Sequence, residues 1–198
     1  MTKGVTTETV DGMPMEKINK LIESIRFERY RWTPVRCIYI PKKGNKNEVR
    51  PLGLPTYSDK LLQEVIRLIL EAYYEPQFSE NSHGFRPGRG CHTALRMVTQ
   101  KGQGTKWFIE GDIEACFDRI DHTVLLNILK KDFSDNRFIA LIERLLQAGY
   151  LEDWIYHKTY NGVPQGSITS PILTNLVMNK LDQYMEKEMI PQFTKGKL

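Results

Sequence analysis

The sequence has few cysteines and no pattern among them that would hold a metal ion or a disulfide framework. The three cysteines, Cys37, Cys91 and Cys116, lie far apart, are odd in number and form no Cys-x-x-Cys pair. This spacing argues against the usual zinc motifs and against a disulfide-rich secreted scaffold. A reducing cytoplasm is therefore the expected location.

Long apolar runs and a signal-peptide core are also absent. No apolar stretch approaches the ~18–20 residues that a bilayer span needs, and the opening residues, MTKGVTTETVDG, are polar. Hydrophobic residues make up 40% of the 198 positions and charged residues 26%, which is typical of a soluble globular protein. We expect no membrane partner, and either one ordinary core or two small lobes.

Positive charge is concentrated in the first half of the chain. Residues 1–106 contain 18 Lys/Arg and 11 Asp/Glu, a net +7, whereas residues 107–198 contain 10 and 13, a net −3. A basic half favours a polyanionic partner such as nucleic acid. An unevenly charged solvated surface would give the same counts, so charge alone does not decide between nucleic-acid binding and a solvated surface.

Helices and strands are mixed without a regular βαβ alternation, which predicts an α+β fold. The stretches VRCIYIPKK and EVRPLGLP are expected to form a hairpin around a turn at residues 44–47. The tip of this hairpin is basic, with Lys42, Lys43, Lys46 and Arg50. KWFIEGDI is predicted to be a strand, and Asn161-Gly162 is predicted to be a turn in the strand region that precedes VPQG.

Apolar spacing and capping residues predict the helices. One lies within residues 15–31, the next begins at Ser58 or Asp59 and ends at Pro76, and a short one covers residues 91–100. Three more follow: two capped by Asp121 and by Ser134, and one running from Pro171 to about Ile190.

Five acidic residues occupy the fifteen positions FIEGDIEACFDRIDH, residues 108–122. In a strand over KWFIEGDI, Trp107 and Ile109 would face a core while Glu110 and Asp112 share the other face. Asp112 would end the strand, where a carboxylate suits Mg²⁺. A charged, solvated turn with Glu114 or Asp118 paired to Arg119 or a lysine is the competing interpretation, and one carboxylate cannot hold two metal ions.

Four stretches, in this order, resemble the group II intron-encoded reverse transcriptases, or maturases. They are IPKKGNKNEVRPLGLPTYSDKLLQE, YYEPQFSENSHGFRPGRGCHTAL, WFIEGDIEACFDRIDH and GVPQGSITSPILTNLVMNKLD. The resemblance implies a fingers–palm polymerase fold, with an N-terminal extension and fingers in residues 1–106 and a partial palm in 107–198. It also implies RNA-directed DNA polymerase activity and intron RNA binding.

The resemblance assigns the chemistry of the palm to three residues. Asp112 matches the first metal-binding aspartate, and the backbone of Ile113 would lie at the second of two Mg²⁺ ions. Phe117 matches the aromatic residue under the sugar of the incoming deoxynucleotide, where its ring would clash with a 2′-hydroxyl. From the residues alone, Phe117 could equally be a core residue.

Further matches lie on the fingers and on the loop VPQG. Either Lys42 or Lys43, together with Arg50, matches the residues that hold the triphosphate, a task that suits cations on a hairpin. Gln165 and Gly166 match the loop beside the nascent base pair. Lys46, at the hairpin tip, is expected to contact nucleic-acid phosphates. The residues alone would also allow a solvated basic hairpin and a turn-capping glutamine.

The sequence departs from the family at its end. The second acidic motif of the palm, Tyr-Ala-Asp-Asp, is expected after the last helix, but the chain contains no Asp-Asp pair. We therefore expect the fold to be truncated before the second catalytic aspartate motif, and the chain alone to be catalytically incomplete.

Two interpretations of function remain. In one, the parent protein is a polymerase that takes an RNA template with a DNA primer and deoxynucleoside triphosphates. In the other, this region mainly binds group II intron RNA or pairs with a second copy through an exposed palm face.

Overall fold

The computed structural model describes residues 4–6, 8–9, 13–42 and 44–193, without the side chains at 42 and 45–47. The roles expected of Lys43, and of the side chains of Lys42 and Lys46, lie outside the described residues. Helices and strands follow one another in this order: α1 (Met15–Arg26), β1 (Val35–Lys42), β2 (Asn45–Leu54), α2 (Tyr57–Tyr74), a 3₁₀ turn (Glu75–Gln77), α3 (Cys91–Lys101), α4 (His122–Asp132), α5 (Asn136–Leu146), β3 (Tyr150–Glu152), β4 (Ile155–His157), α6 (Ser170–Tyr184), a π turn (Met185–Met189) and α7 (Ile190–Phe193).

The four strands form one sheet in the order β2-β1-β3-β4. β1 and β2 form the expected antiparallel hairpin, whose register runs from Arg36 opposite Leu54 to Pro41 opposite Val49. The chain turns before Asn45, which already belongs to β2, so the predicted turn at residues 44–47 is too long. β1 then pairs in parallel with β3, and β3 pairs antiparallel with β4.

Helices α2, α4, α5 and α6 enclose the hydrophobic core. Leu62, Ile66 and Leu70 recur every four residues on α2 and are buried, which puts them on one face of the helix. The indole N–H of Trp32 donates to the Leu141 carbonyl oxygen (2.9 Å) and fixes the segment before β1 against α5. The core cluster contains residues from both sides of position 106, and the division into two parts stays a prediction.

All six predicted helices are present, with one wrong cap. The Asp121 carboxylate accepts hydrogen bonds from the backbone N–H groups of Thr123 and Val124, as expected of an N-cap. α5, however, is capped by Asp135 and not by Ser134. The carboxylate of Asp135 reaches the backbone N–H groups of the first helical turn, where it satisfies donors that lack an intrahelical partner.

The predicted turn at Asn161-Gly162 is wrong. The β3–β4 hairpin instead turns at Asp153 and Trp154, which both have positive φ angles of 48° and 65°, as a tight type I′ turn requires. Asn161 forms an isolated antiparallel bridge with Asp121. Its neighbour Gly162 is therefore engaged by the segment before α4 and not by a hairpin.

The strand predicted over KWFIEGDI is also wrong. Residues 105–113 have no regular secondary structure, and Trp107 is 86% exposed where a core position was expected. A strand exists only when a neighbouring strand accepts its ladder hydrogen bonds, and the sheet β2-β1-β3-β4 does not extend to this segment. The segment therefore has a β-forming sequence, but no strand in the described part of the chain pairs with it.

No helix in the described ranges is long and apolar enough to cross a membrane.

A buried carboxylate links the segment before β1 to the start of α2. Asp59 is almost fully buried and accepts hydrogen bonds from the hydroxyls of Tyr30 and Thr56, both at 2.6 Å. Burial raises the pKa of Asp59 despite these bonds, because a charge is poorly solvated there. At the exposed N-cap Asp121, backbone N–H groups lower the carboxyl pKa.

These opposite shifts predict opposite pH dependences of stability. The contribution of Asp59 is fully present below the unfolded pKa of about 3.8 and is lost as pH rises through its raised folded pKa. The free energy of unfolding of the unchanged chain, minus that of Asp59→Asn, should therefore fall with rising pH. The same difference for Asp121→Asn should rise with pH. Urea denaturation between about pH 3 and pH 7 measures both, and equal signs would contradict the assignment.

Candidate nucleotide and nucleic-acid site

The loop VPQG packs against the outer edge of β2. The Gly53 backbone N–H donates to the Gln165 carbonyl oxygen (2.6 Å). Gly166 follows with a φ of +94°, and a Cβ at this position would lie 2.6 Å from the Gly53 carbonyl oxygen and 2.7 Å from Leu52 Cδ1. Position 166 therefore requires glycine both for its backbone conformation and for the space beside β2.

Hydrogen bonds also join the approach to this loop to the segment that precedes α4. The Val163 N–H donates to the Phe117 carbonyl oxygen and the Gly162 N–H donates to the Ile120 carbonyl oxygen, both at 2.7 Å. His122 Nε2 lies 2.7 Å from the Gly162 carbonyl oxygen, to which it donates. The backbone of Phe117 is thus fixed relative to VPQG, and through VPQG to β2.

Phe117 is half-buried and packs against the core. Its ring meets the exposed ring of Phe85 edge-to-face, with centroids 6.1 Å apart and planes at 89°. This packing stabilises one orientation of the Phe117 ring. The two interpretations of Phe117, sugar contact and core residue, are both compatible with a ring that has one buried side.

Two acidic side chains after Asp112 have defined partners. Glu114 pairs with Arg119 (2.8 Å), which confirms one expectation. The Gln165 side-chain amide donates to the Asp118 carboxylate, at 3.1 Å and 3.3 Å from its two oxygens. Sequence reasoning missed this contact because the two residues are 47 positions apart, and no local pattern reports such a pair.

Asp112 and Ile113 lie in the exposed segment that was expected to be a strand. In the part of the chain that the structure describes, no three His, Cys, Asp or Glu side chains come together as a metal site. Asp112 supplies one carboxylate, and a two-metal centre needs at least two or three. The described residues therefore do not by themselves fit the expected Mg²⁺ site.

Arg50 lies exposed on β2, opposite Ile40 of β1. Directly opposed residues share a face, and alternate residues share it along a strand. Arg50 and Leu52 therefore lie on the same face of the sheet. The structure thus connects the strand that carries Arg50 to Phe117 and to the Gln165–Gly166 loop, but no hydrogen bond or ion pair among described residues joins Asp112 to them.

A cavity of about 310 Å³ lies on the opposite face of the sheet, beneath the segment 159–165 that crosses from β4 to β2. Cys37, Tyr39 and Glu152 line it, with Pro51 and Gly53. The hydrogen bond from the Tyr39 hydroxyl to Glu152 raises the pKa of Tyr39 to about 12, and burial raises the pKa of Cys37. No sequence motif indicated this cavity, because its walls come from stretches that are far apart in the sequence.

This arrangement, a small mixed sheet joined to helices by a close glycine loop, is the fingers–palm fold of polymerases that copy nucleic acid. The family described as reverse transcriptase (RNA-dependent DNA polymerase) matches residues 40–195. The chain belongs to this family, and its α+β fold confirms the expected architecture.

Proteins encoded in introns are among those to which the chain is similar. The chain is 50% identical over 184 residues to the group II intron-encoded protein LtrA of Lactococcus lactis subsp. cremoris, covering 93% of this chain and 31% of that protein. It is 48% identical over 187 residues to a 91 kDa protein in the cob intron of Schizosaccharomyces pombe, covering 94% and 23%. The chain thus spans less than a third of the length of these relatives.

A solved structure shows the same fold. A chain of a partial Cas6-RT-Cas1–Cas2 complex superposes with a TM-score of 0.60 at 23% identity, covering 92% of this chain and 31% of that one. At this identity the likeness concerns the fold alone.

Replacing Gly166 tests the contact between the loop and β2. Gly166→Ala should lower the free energy of unfolding by about 2 kcal/mol or more, because a methyl group collides with the Gly53 carbonyl. Gly44→Ala is the matched control: its φ is +92°, but a Cβ there meets nothing within 4 Å. It should cost only the backbone strain of about 1 kcal/mol. Equal losses in urea denaturation would show that the contact with β2 is unimportant.

Proposed function

We propose that a protein containing this chain is an RNA-directed DNA polymerase, which extends a DNA primer on an RNA template with deoxynucleoside triphosphates. Residues 36–54 would supply the triphosphate grip through Arg50 and Lys42 or Lys43. Phe117 would select the sugar, and Gln165 with Gly166 would lie beside the nascent base pair. The family to which the chain belongs supports this activity.

One observation carries the proposal: the bond from the Gly53 N–H to the Gln165 carbonyl. It joins the strand of Arg50 to the VPQG loop, which in turn holds the backbone of Phe117 through Val163. Three motifs that are far apart in sequence thereby become one rigid arrangement. Enzymes catalyse phosphoryl transfer largely by holding the reacting groups in position, and a preorganised arrangement of this kind serves that purpose.

The cofactor we propose is Mg²⁺, since members of the family generally use divalent metals. Asp112 would supply one ligand oxygen and the carbonyl of Ile113 another, with further ligands from outside the described residues.

The location that we propose for the protein is a reducing cytoplasm, with which the three free cysteines are compatible.

A second function, binding of group II intron RNA as a splicing cofactor, is favoured by the net charge of +7 in residues 1–106. Cations gain affinity for phosphates by releasing counterions. Lys46 would take part in this contact. The likeness of the chain to a protein named as group II intron-encoded, LtrA, supports this second proposal. A second copy of the chain is a further partner that we propose for the exposed segment 105–113.

Replacing Asp112 tests polymerase function in a primer-extending protein that contains this chain. Asp112→Asn should lower cDNA synthesis by at least about 100-fold, the equivalent of a few kcal/mol of transition-state stabilisation. Intron RNA binding should change little, because phosphate contacts supply most of that affinity. Glu110→Gln, in the same exposed segment, is the matched control and should retain synthesis. Parallel loss of synthesis and RNA binding would mean that Asp112 supports the fold instead.

Replacing Phe117 distinguishes a sugar contact from a core residue. Phe117→Val should raise the ratio of ribonucleotide to deoxynucleotide incorporation by about tenfold or more, because the ring no longer excludes the 2′-hydroxyl. Phe85→Val removes the ring that packs edge-to-face on Phe117 and should leave the ratio within about twofold. Incorporation assays and thermal denaturation together decide. A lower melting temperature with unchanged sugar selection would identify Phe117 as a core residue only.

A further inference from the structure

A hydrogen bond joins the side chain of Gln165 to the carboxylate of Asp118. The amide nitrogen of Gln165 lies 3.1 Å and 3.3 Å from the two carboxylate oxygens. A carboxylate only accepts hydrogen bonds, whereas an amide donates at one end and accepts at the other. The contact therefore decides the orientation of the amide: its nitrogen faces Asp118, and its carbonyl oxygen is turned away from Asp118.

The backbone of Asp118 is held in place from two sides. Its N–H donates to the Ala115 carbonyl oxygen (2.9 Å), and Ala115 has a φ of 50°, so the chain turns tightly just before Asp118. On the other side, a Cβ at Gly162 would lie 2.7 Å from the Asp118 carbonyl oxygen, and only a glycine allows this approach. The carboxylate thus reaches Gln165 from a fixed backbone.

The backbone of Gln165 is held independently of its side chain. Its carbonyl oxygen accepts the hydrogen bond from the Gly53 N–H, which does not depend on the side chain at position 165. A glutamine side chain has several rotatable bonds and loses considerable entropy when it is ordered. Backbone contacts therefore position the loop, and Asp118 adds the orientation of the glutamine side chain.

The surroundings of Asp118 give its carboxylate no role in the core. Asp118 is exposed, and an exposed carboxylate contributes little to stability. The adjacent cation, Arg119, pairs with Glu114 (2.8 Å). Both oxygens of Asp118 are instead within hydrogen-bond distance of the Gln165 amide. The contact with Gln165 is therefore the interaction through which Asp118 can affect the site.

We propose that Asp118 is a positioning residue for the incoming deoxynucleotide: its carboxylate holds the Gln165 amide in one orientation beside the nascent base pair. The inference rests on the proposed function, in which Phe117 contacts the sugar and Gln165 lies beside the base pair. Asp118 directly follows Phe117, so one short stretch of chain orients both contacts. An amide that is ordered before the nucleotide arrives loses less freedom on binding, which raises the affinity for the nucleotide.

Asp118 has this role through Gln165 and not as a ligand of a metal ion. Within the described residues, no three His, Cys, Asp or Glu side chains come together as a metal site. A cation at Asp118 would also have to displace the Gln165 amide from the carboxylate.

The test is a double-mutant cycle in a primer-extending protein that contains this chain. Asp118→Ala should raise the KM for deoxynucleotides by about 3- to 10-fold and leave kcat within about twofold, because the ordered amide serves bound nucleotide and transition state alike. Gln165→Ala keeps the backbone bond to Gly53 and should raise KM at least as much. Adding Asp118→Ala to Gln165→Ala should then raise KM by less than about twofold more.

Two further variants separate this role from a general loss of charge or of stability. Asp118→Asn keeps an oxygen that can accept from the Gln165 amide, and it should restore KM to within about twofold of the unchanged protein. Glu114→Ala removes another exposed carboxylate of the same segment and is the matched control, with KM again within about twofold. The unfolding temperature should be the same in all these variants, because both carboxylates are exposed.

A second measurement does not depend on synthesis. The side-chain NH₂ group of Gln165 gives its own signal in the NMR spectrum of the ¹⁵N-labelled 198-residue chain, and Gln165→Ala identifies that signal by removing it. The signal should shift in Asp118→Ala and keep its position in Glu114→Ala. A signal that does not shift in Asp118→Ala would overturn the contact on which the inference depends.

The kinetic outcomes also distinguish this inference from the proposed function. An equal rise in KM when Asp118→Ala is added to the unchanged protein and to Gln165→Ala means that Asp118 acts on the substrate directly, which overturns the inference. An unchanged KM in Asp118→Ala, or a loss of activity explained by a lower unfolding temperature, overturns it as well. In these cases the unchanged protein still synthesises cDNA and the proposed function stands. Absence of synthesis by the unchanged protein would defeat the proposed function itself, and this role with it.

Discussion

The close approach of VPQG to the edge of β2 is the constraint on which the rest of the site depends. It requires a glycine at 166 and a hydrogen bond between Gly53 and Gln165. Once this contact forms, the two segments that carry Arg50 and Phe117 have fixed positions relative to each other. The contact is made by backbone atoms, so the side chain of Gln165 stays free to reach Asp118.

The helices provide the rigid body that holds this contact in place. Buried leucines and isoleucines on α2, α4 and α5 form one core, and Trp32 and Asp59 bind the segment before β1 to that core. The sheet lies at the margin of this body, and its two faces carry different kinds of side chain. One face covers a cavity with Tyr39 and Glu152, and the other carries arginines and aromatic rings.

The exposed segment 105–113 contrasts with this order. It contains β-forming residues, a candidate metal ligand and three large apolar side chains that are mostly exposed: Trp107, Phe108 and Ile109. A sequence pattern can show that a segment consists of β-forming residues, but it cannot show whether another strand is available to pair with that segment. The period-two alternation therefore predicted a strand wrongly here, and the metal-binding role of Asp112 stays a prediction.

Local signals were sufficient for most helices, the β1–β2 hairpin and the cap at Asp121, because propensity, periodicity and capping act within a few residues. They failed at Ser134, where a neighbouring aspartate caps better, and at Asn161-Gly162, where a distant segment competes for the backbone. The family and the candidate residues followed from four motifs in order.

Tertiary structure alone determined which of those residues meet. The bond between Gly53 and Gln165, the pairing of Asp118 with Gln165, and the shared face of Arg36, Arg50 and Tyr156 all join residues that are distant in sequence. Strand register decides which residues share a face, whereas the two hydrogen bonds of Gln165 depend on how its loop packs against β2 and against the segment before α4.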